Sequence, residues 1–484
     1  MYLGLDLGTS GVRALLMDDA QRILGSASAD LSQSRPHPGW SEQTLEDWIS
    51  ATTAAITALK AAHPVAFLAL RGIGLSGQMH GATLLDDAGR ALRPAILWND
   101  TRANAEAAEL DARPEFRTLT GNIVFPGFTA PKLLWVAHHE PEVFKRTARV
   151  LLPKDALRLW LTGEAVSEMS DASGTSWLDV AGRDWSDTLL EATNLSRDHM
   201  PRLGEGSAPS GELRRELLRE WGLSAPVVVA GGAGDNAASA IGMGMVHEGQ
   251  AFVSLGTSGV LFAANDAFRP KPESAVHTFC HAVPGRWHQM GVILSATDAL
   301  NWHAKICGMD AAALNQEIGD RLQAPGAVTF LPYLSGERTP HNDARIRGMF
   351  AGLGHEADRP ALTRAVMEGV AFALADNLAA LRSAGARVDR VTAVGGGSKS
   401  TYWLRAIATV LNLPVDVPAR GDFGAAFGAA RLGLMAHSGQ KVDAVCTPPL
   451  IDHTLAPEPA LRGAFDDALS RFRNLYKVMV PTPD

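Results

Sequence analysis

The sequence predicts an α/β protein built as two duplicated domains that face one another across a cleft. Three observations carry the prediction. The six residues Leu7-Gly8-Thr9-Ser10-Gly11-Val12 recur letter for letter as Leu255-Gly256-Thr257-Ser258-Gly259-Val260. Each copy follows a short apolar run that reads as a strand, and each opens a similar succession of strands and helices. The 484 residues also exceed what one ordinary hydrophobic core organises. The domains are placed at 1–244 and 245–484, with the glycines of segment 242–249 as a hinge.

Residues 2–7, 12–18 and 22–31 read as strands, and the turn Asp18-Asp19-Ala20-Gln21 joins the latter two in an antiparallel meander. A Pro/Gly-rich loop through Gly39-Trp40-Ser41 leads into a helix over 45–62. Its apolar Leu45, Trp48, Ile49, Ile56 and Leu59 keep a period near 3.6 residues and need a sheet to cover them. Residues 66–75 are almost continuously apolar, as a strand covered on both faces should be, and lead to Ser76-Gly77-Gln78-Met79-His80-Gly81. Strands at 82–85 and 95–98, a helical middle, and a strand at 226–230 running into Gly231-Gly232-Ala233-Gly234-Asp235-Asn236 complete the first half.

The second half repeats the plan. Strands are expected at 251–255, 259–263, 275–282 and 287–292, followed by helices, among them an amphipathic one over 360–383. A strand at 390–394 then meets Gly395-Gly396-Gly397-Ser398. Helices at 399–411 and 424–437 come next. A terminal helix at 459–477 is the candidate to pack back on the first domain.

Composition excludes several classes. No apolar run reaches the roughly 20 residues of a membrane span, and the N-terminus enters a strand without the basic and apolar segments of a signal peptide, so a cytoplasmic protein is expected. Three cysteines, Cys280, Cys307 and Cys446, form no disulfide framework. A net charge of −8 without a Lys/Arg block leaves no electrostatic footprint for nucleic acid.

The candidate chemistry lies in loops at strand ends. Glycines beside Thr and Ser let backbone amides and hydroxyls approach phosphate, which marks Gly8, Thr9 and Ser10 and their copies Gly256, Thr257 and Ser258. Asp6 stands two residues before Gly8, where carboxylate and phosphate would repel unless Mg²⁺ joins them; an Asp there also suits the cap of its own turn. The second copy has Ser254 at that place and lacks the carboxylate. Asp235, ending an apolar strand before an Ala-rich helix, suits a general base facing the cleft and equally an N-cap. The glycines before Ser398 would let a base or ribose lie against bare backbone. His277, Cys280 and His281 lack a second ligand pair at zinc spacing and read as strand packing.

Together these features resemble the sugar-kinase, Hsp70 and actin superfold, the ribonuclease H-like ATPases in which two similar domains clamp ATP between paired loops. Gly127-Phe128-Thr129-Ala130-Pro131-Lys132-Leu133-Leu134-Trp135 resembles one signature of the FGGY carbohydrate kinases. Gly348-Met349-Phe350-Ala351-Gly352-Leu353, with Ala365-Val366-Met367-Glu368-Gly369, resembles the other. The likeness covers residues 2–477. Gly77-Gln78-Met79-His80-Gly81, Trp98-Asn99-Asp100 and Gly234-Asp235-Asn236 are similar to the branch that phosphorylates D-xylulose at its 5-hydroxyl. Glycerol-phosphorylating members carry Arg-Glu in place of Met79-His80 and Gln in place of Asn236.

The resemblance implies an ATP- and Mg²⁺-dependent kinase that closes over its sugar. Asp6 is then the metal carboxylate, and Asp235 the proton acceptor. Met79, His80, Trp98, Asp235 and Asn236 surround the sugar, and Gly396, Gly397 and Ser398 take the adenosine. Gly336-Glu337-Arg338-Thr339-Pro340-His341 also resembles a family motif, without an assigned contact. A kinase for another sugar, such as L-ribulose, a deoxy-ketose or gluconate, is the nearest alternative, and an ATP switch without catalysis is the more distant one. Whether two copies pair as a homodimer is left open.

Overall fold

The strand-forming runs on either side of each repeated loop assemble into two seven-stranded sheets of one plan. The computed structural model describes residues 1–419 and 423–480. In the first sheet Tyr2–Leu7, Gly11–Met17 and Ile23–Asp30 form an antiparallel meander. Gly72–Gly77 adds in parallel to the other side of Tyr2–Leu7, Val228–Ala230 adds in parallel to that, and Pro209–Glu212 closes the edge in the antiparallel sense. The second sheet repeats this with the meander Ala251–Leu255, Gly259–Asn265 and Trp287–Ile293, then parallel Val391–Val394 and Val415–Pro418, then antiparallel Ile451–Leu455. Both copies of the hexapeptide therefore turn between the first two strands of a sheet, at its carboxyl edge. His277–Cys280 is an added strand outside the second meander.

The helix over Leu45–Ala62 forms as its pattern predicts. Thr44 caps it by accepting from the Asp47 N–H at 3.1 Å, and Glu46 and Asp47 face its positive end. It buries Trp48, Ile56 and Leu59, the latter two among Leu3, Leu5 and Leu16 of the sheet.

Three expectations need correction. The apolar run 66–75 is not one strand: Pro64 starts a helical turn, Pro64–Phe67, and the strand is Gly72–Gly77, so Ser76 and Gly77 belong to the sheet and the loop starts at Gln78. The helix expected over 399–411 divides into a 3₁₀ turn, Gly396–Lys399, and the helix Thr401–Leu411, which Ser400 caps. Finally, the terminal helix Arg462–Met479 does not return to the first half. It buries Phe465, Ala468 and Phe472 in the core of the second and pairs Arg473 with Asp376 at 2.6 Å.

The element that returns is the helix Ala425–Ser438, lying across Tyr2–Leu7 and Gly72–Gly77. Glycine makes this possible. A Cβ on Gly4 would stand 1.8 Å from the Ala426 carbonyl oxygen, and one on Gly74 the same distance from that of Ala429. On its other face Gly428 lies equally close to Ala238, in the helix Asp235–Gly242. Backbone thus packs on backbone from the sheet, through this helix, to the helix whose first residue is Asp235.

Candidate active site

The loop after Gly72–Gly77 places His80 with φ +68°, a left-handed conformation uncommon outside glycine. Lys132 and Thr129 hold it there: the buried ammonium donates to the His80 carbonyl at 2.8 Å and to that of Gly127 at 2.7 Å, and the Thr129 hydroxyl donates at 3.2 Å. This gives the Gly127–Trp135 signature a physical role as the clamp on the His80 backbone. The ring stacks on Phe128 at 4.5 Å, and Nδ1 lies 2.7 Å from the Gly174 carbonyl. A carbonyl only accepts, so Nδ1 carries the proton and Nε2 is left as an acceptor. Burial, with the charges of Lys132 and Arg338, lowers the His80 pKa to about 3 and keeps the ring neutral.

Trp98 is half exposed on a loop that is fixed from beneath. Asp100, fully buried, accepts from the Ser41 N–H at 2.6 Å and pairs with Arg102 at 2.7 Å. The Trp98 indole N–H donates to the Thr9 hydroxyl at 2.9 Å, and that hydroxyl donates to Gln78 Oε1 at 3.0 Å. Gln78 in turn donates to Gln43 Oε1 at 3.0 Å, and Gln43 donates to the Thr9 carbonyl at 2.8 Å. The first repeated loop and the Met79–His80 loop are therefore one hydrogen-bonded unit. Thr9 contributes its hydroxyl to that unit and the Gly8 N–H donates to the Gly11 carbonyl at 2.9 Å, which leaves the exposed Ser10 hydroxyl and the Thr9 and Ser10 amides without a described partner.

Asp235 opens the helix Asp235–Gly242. Its Oδ1 accepts both the Asn236 N–H at 2.7 Å and the Asn236 amide at 2.9 Å, within its own first turn. Burial first, and then the charge of Asp6, raise its pKa to about 6. Asp6 is itself raised by burial, against the smaller influence of Ser76 and Arg13. A buried carboxylate at Asp6 whose charge reaches Asp235 is a donor that a hard divalent cation satisfies. Among the described residues no cluster of three or more His, Cys, Asp or Glu could hold a metal alone, so phosphate and water would have to complete the shell.

Beneath this strand end lies a charge cluster with no exposed side chain: Lys154, Asp155, Arg158, Glu168 and Asp171. Lys154 pairs with Asp155 at 2.7 Å and with Asp171 at 2.9 Å, and Arg158 donates to the Gly231 carbonyl. Ser170 donates to Glu168 at 2.9 Å and accepts from the Gly234 N–H at 3.1 Å, just before Asp235. These residues lie outside the sequence expectations: Lys154, Asp155 and Arg158 share one helix, and only folding brings Glu168 and Asp171 against them.

A cavity of about 310 Å³, at the small end of ligand sites, opens where the halves meet. Met79, His80, Trp98, Asp235 and Asn236 line it from the first half, with Ser254, Gly256, Ser258, His277 and Arg338 from the second. The structure thus gathers the five predicted sugar residues with two of the second loop. Asp6, Gly8, Thr9, Ser10 and Thr257 lie outside its lining. In the second loop the Gly256 carbonyl accepts from the Thr297 N–H at 2.9 Å, and that of Thr257 from the Ala296 N–H at 2.8 Å, which anchors the turn to the helix Thr297–Cys307.

His277 was expected to be strand packing, yet it reaches the cavity. Its apparent partners in a zinc set diverge: Cys280 Sγ bonds to the Val180 carbonyl at 3.4 Å and His281 to that of Met245 at 3.0 Å. The signal missed is strand alternation, which puts His277 and Phe279 on one face of His277–Cys280 and Cys280 on the other.

The Gly396–Lys399 turn separates two further cavities, of about 680 and 360 Å³. Gly395 takes φ +89°, and a Cβ there would stand 2.7 Å from the Leu255 carbonyl, so only glycine lets this turn meet the strand that carries the second loop. Ser398 donates back to the Gly395 carbonyl at 2.7 Å. The second signature braces the turn from behind: Met367 accepts from the Trp403 indole at 2.8 Å and Glu368 from the Tyr402 hydroxyl at 2.7 Å.

Comparison with known proteins agrees with this arrangement. Residues 1–242 match the N-terminal domain, and residues 251–437 the C-terminal domain, of the FGGY family of carbohydrate kinases. The chain is 49% identical over 484 residues to a xylulose kinase of Escherichia coli (strain K12), covering 99% of each, and 51% identical over 438 residues to one of Klebsiella pneumoniae, covering 90% of each. A crystal structure of a "xyloylose kinase" from Brucella ovis superposes with a TM-score of 0.98 at 65% identity, over 99% of both chains. No described helix is long and apolar enough to cross a membrane. With both sheets, both signatures and nearly the full length accounted for, the chain belongs to the FGGY family of carbohydrate kinases.

Proposed function

We infer that the protein transfers the γ-phosphoryl group of ATP to the 5-hydroxyl of D-xylulose. The observation that carries this reading is the shared cavity, where the Met79–His80 loop and Asp235 face Gly256 and Ser258 of the second loop. An acceptor hydroxyl held by the first half there meets a phosphoryl group held by the second. The full-length likeness to xylulose kinases supplies the identity of the sugar.

Phosphoryl transfer has a loose transition state, so the protein's work is positioning and charge stabilisation. His80 Nε2 accepts from a sugar hydroxyl, Trp98 offers its indole face to the carbon chain, and Met79 fills the apolar wall. Asp235 has both recorded bonds on Oδ1, which leaves Oδ2 for the 5-hydroxyl. As O5 attacks the γ-phosphorus and the bond to the bridging oxygen breaks, Asp235 takes the hydroxyl proton and ADP departs. A pKa of about 6 leaves it ionised at neutral pH and still able to accept. Ser10, the Thr9 and Ser10 amides, Gly256, Thr257 and Ser258 bind phosphate oxygens, while the Gly396–Lys399 turn, with Gly397 and Ser398, borders the adenosine. Asp6 and Asp235 fit Mg²⁺, which when bound with ATP screens the phosphate charge from these carboxylates.

The test is a panel of D-xylulose, L-ribulose, gluconate and glycerol, scored by kcat/KM with ATP and Mg²⁺. D-xylulose should lead by at least about two orders of magnitude, because a missing or inverted hydroxyl strands a buried polar partner. Preference for another sugar would overturn the substrate, and ATP hydrolysis indifferent to every sugar would overturn the kinase reading.

A further inference from the structure

The loop around Glu337 brings into the sugar cavity a cation that no role above employs. Arg338 lines that cavity with Met79, His80, Asp235 and His277. Its guanidinium lies over the Phe125 ring, 4.8 Å from the centroid, and no described group accepts a hydrogen bond from it. The neighbouring Glu337 is otherwise engaged. Its carboxyl accepts from the Arg338 backbone N–H at 2.7 Å and the Leu294 N–H at 3.1 Å, and burial pushes it up to about 8, so it is uncharged at neutral pH.

The loop is also held rigidly. The Thr339 hydroxyl donates to the Ala275 carbonyl at 2.8 Å and accepts from the Val292 N–H at 3.1 Å, and the Asn377 amide donates to the Thr339 carbonyl at 3.2 Å. A guanidinium has five N–H donors and no acceptor. Here it is preorganised, partly desolvated and without a hydrogen-bond acceptor among the described residues, so its complement is an acceptor on the ligand.

Its position identifies which acceptor. The Phe125 ring beneath Arg338 meets His277 at 5.2 Å and Phe128 at 5.5 Å, and Phe128 is the ring on which His80 stacks. Arg338 therefore stands at the imidazole end of the cavity. With the terminal hydroxyl at Asp235, that end receives the opposite end of the open-chain sugar, where a 2-ketose carries a carbonyl oxygen that can only accept. His80 Nε2, itself an acceptor, cannot serve it.

We propose that Arg338 is a specificity-determining residue contributed by the second half, donating to the C2 carbonyl oxygen of the acyclic ketose and so favouring a ketose over the corresponding polyol. The proposal rests on the D-xylulose reading. The test compares D-xylulose with xylitol, which has a hydroxyl at C2, in wild type, Arg338→Met and Arg338→Lys, with circular dichroism as the check on folding.

Arg338→Met should lower kcat/KM for D-xylulose about 10- to 100-fold, mainly through KM, while xylitol changes less than about threefold. Arg338→Lys, which retains a charged donor, should recover part of the loss. Equal losses with both sugars in folded Arg338→Lys, or no loss with D-xylulose in either variant, would overturn the assignment. Wild-type protein inactive on D-xylulose would overturn the substrate reading and Arg338 with it; wild-type activity with an unchanged sugar ratio would overturn Arg338 alone.

Discussion

Asp235→Asn should lower turnover steeply and, at neutral pH, make the protein more stable; both effects follow from removing one ionisable carboxyl. Burial and the charge of Asp6 raise the Asp235 pKa from 3.8 to about 6. The folded protein therefore holds this proton more tightly than the unfolded chain. As pH rises from about 4 to 6 the group's contribution to stability falls, and above pH 6 the whole penalty is present. A gap of about two pKa units corresponds to roughly 3 kcal/mol, and solvent reaching a half-buried group trims this to about 1–3 kcal/mol. Asparagine keeps an Oδ1 to accept from Asn236 but never ionises, so the variant avoids the penalty. Calorimetric unfolding should show the variant about 1–3 kcal/mol more stable at pH 7.5, the gain vanishing near pH 4, while kcat for D-xylulose falls by about 10²–10⁴. A variant no more stable than wild type at pH 7.5, or equally stabilised at both pH values, would refute the electrostatic account. Near-wild-type turnover with chemistry rate-limiting would refute the base.

Two further outcomes test neighbouring links. The acid limb of kcat/KM at low MgATP should fall near pH 6, with about 10% of the activity left at pH 5, and should move lower at saturating MgATP, whose cation offsets Asp6; a limb that stays put would discount Asp6 as a cause. Gly74→Ala sets a methyl group 1.8 Å from the Ala429 carbonyl oxygen, so the helix Ala425–Ser438 must shift, at a cost of about 1–3 kcal/mol or more. An unchanged melting temperature would show that this contact gives way freely.

The sheets and the sugar loop were legible because their signals are local. An apolar run, a turn and a glycine-rich strand end lie within a few residues, and Met79, His80, Trp98, Asp235 and Asn236 do reach one cavity. What was not legible depends on contacts between distant segments. Gly4 and Gly74 look like ordinary weak points in strands until the helix Ala425–Ser438 lies on them. Lys132 stands in the first signature without a role in the sequence reading, yet it is fully buried under the His80 carbonyl. In the cluster of Lys154, Asp155, Arg158, Glu168 and Asp171, the first three share a helix and read as its polar face until Glu168 and Asp171 of two other elements close over them. Arg338 needed its cavity before the absence of a described hydrogen-bond acceptor for it had any meaning.

The repeated hexapeptide shows why identical residues do different work. In the first copy the preceding strand carries Asp6 opposite Ser76, and Thr9 is bonded to Trp98 and Gln78, so the loop is tied to the sugar platform and borders the candidate metal carboxylate. In the second, Ser254 stands opposite Val394, and the carbonyls of Gly256 and Thr257 are fastened to the start of the helix Thr297–Cys307. A carboxylate at Ser254, which lines the cavity, would set a second anion against the incoming phosphoryl group and raise Asp235 further. A hydroxyl there adds a donor without charge. On the proposed function, the asymmetry at one strand position would let a duplicated loop approach one polyphosphate from two sides while carboxylates stay on one side only.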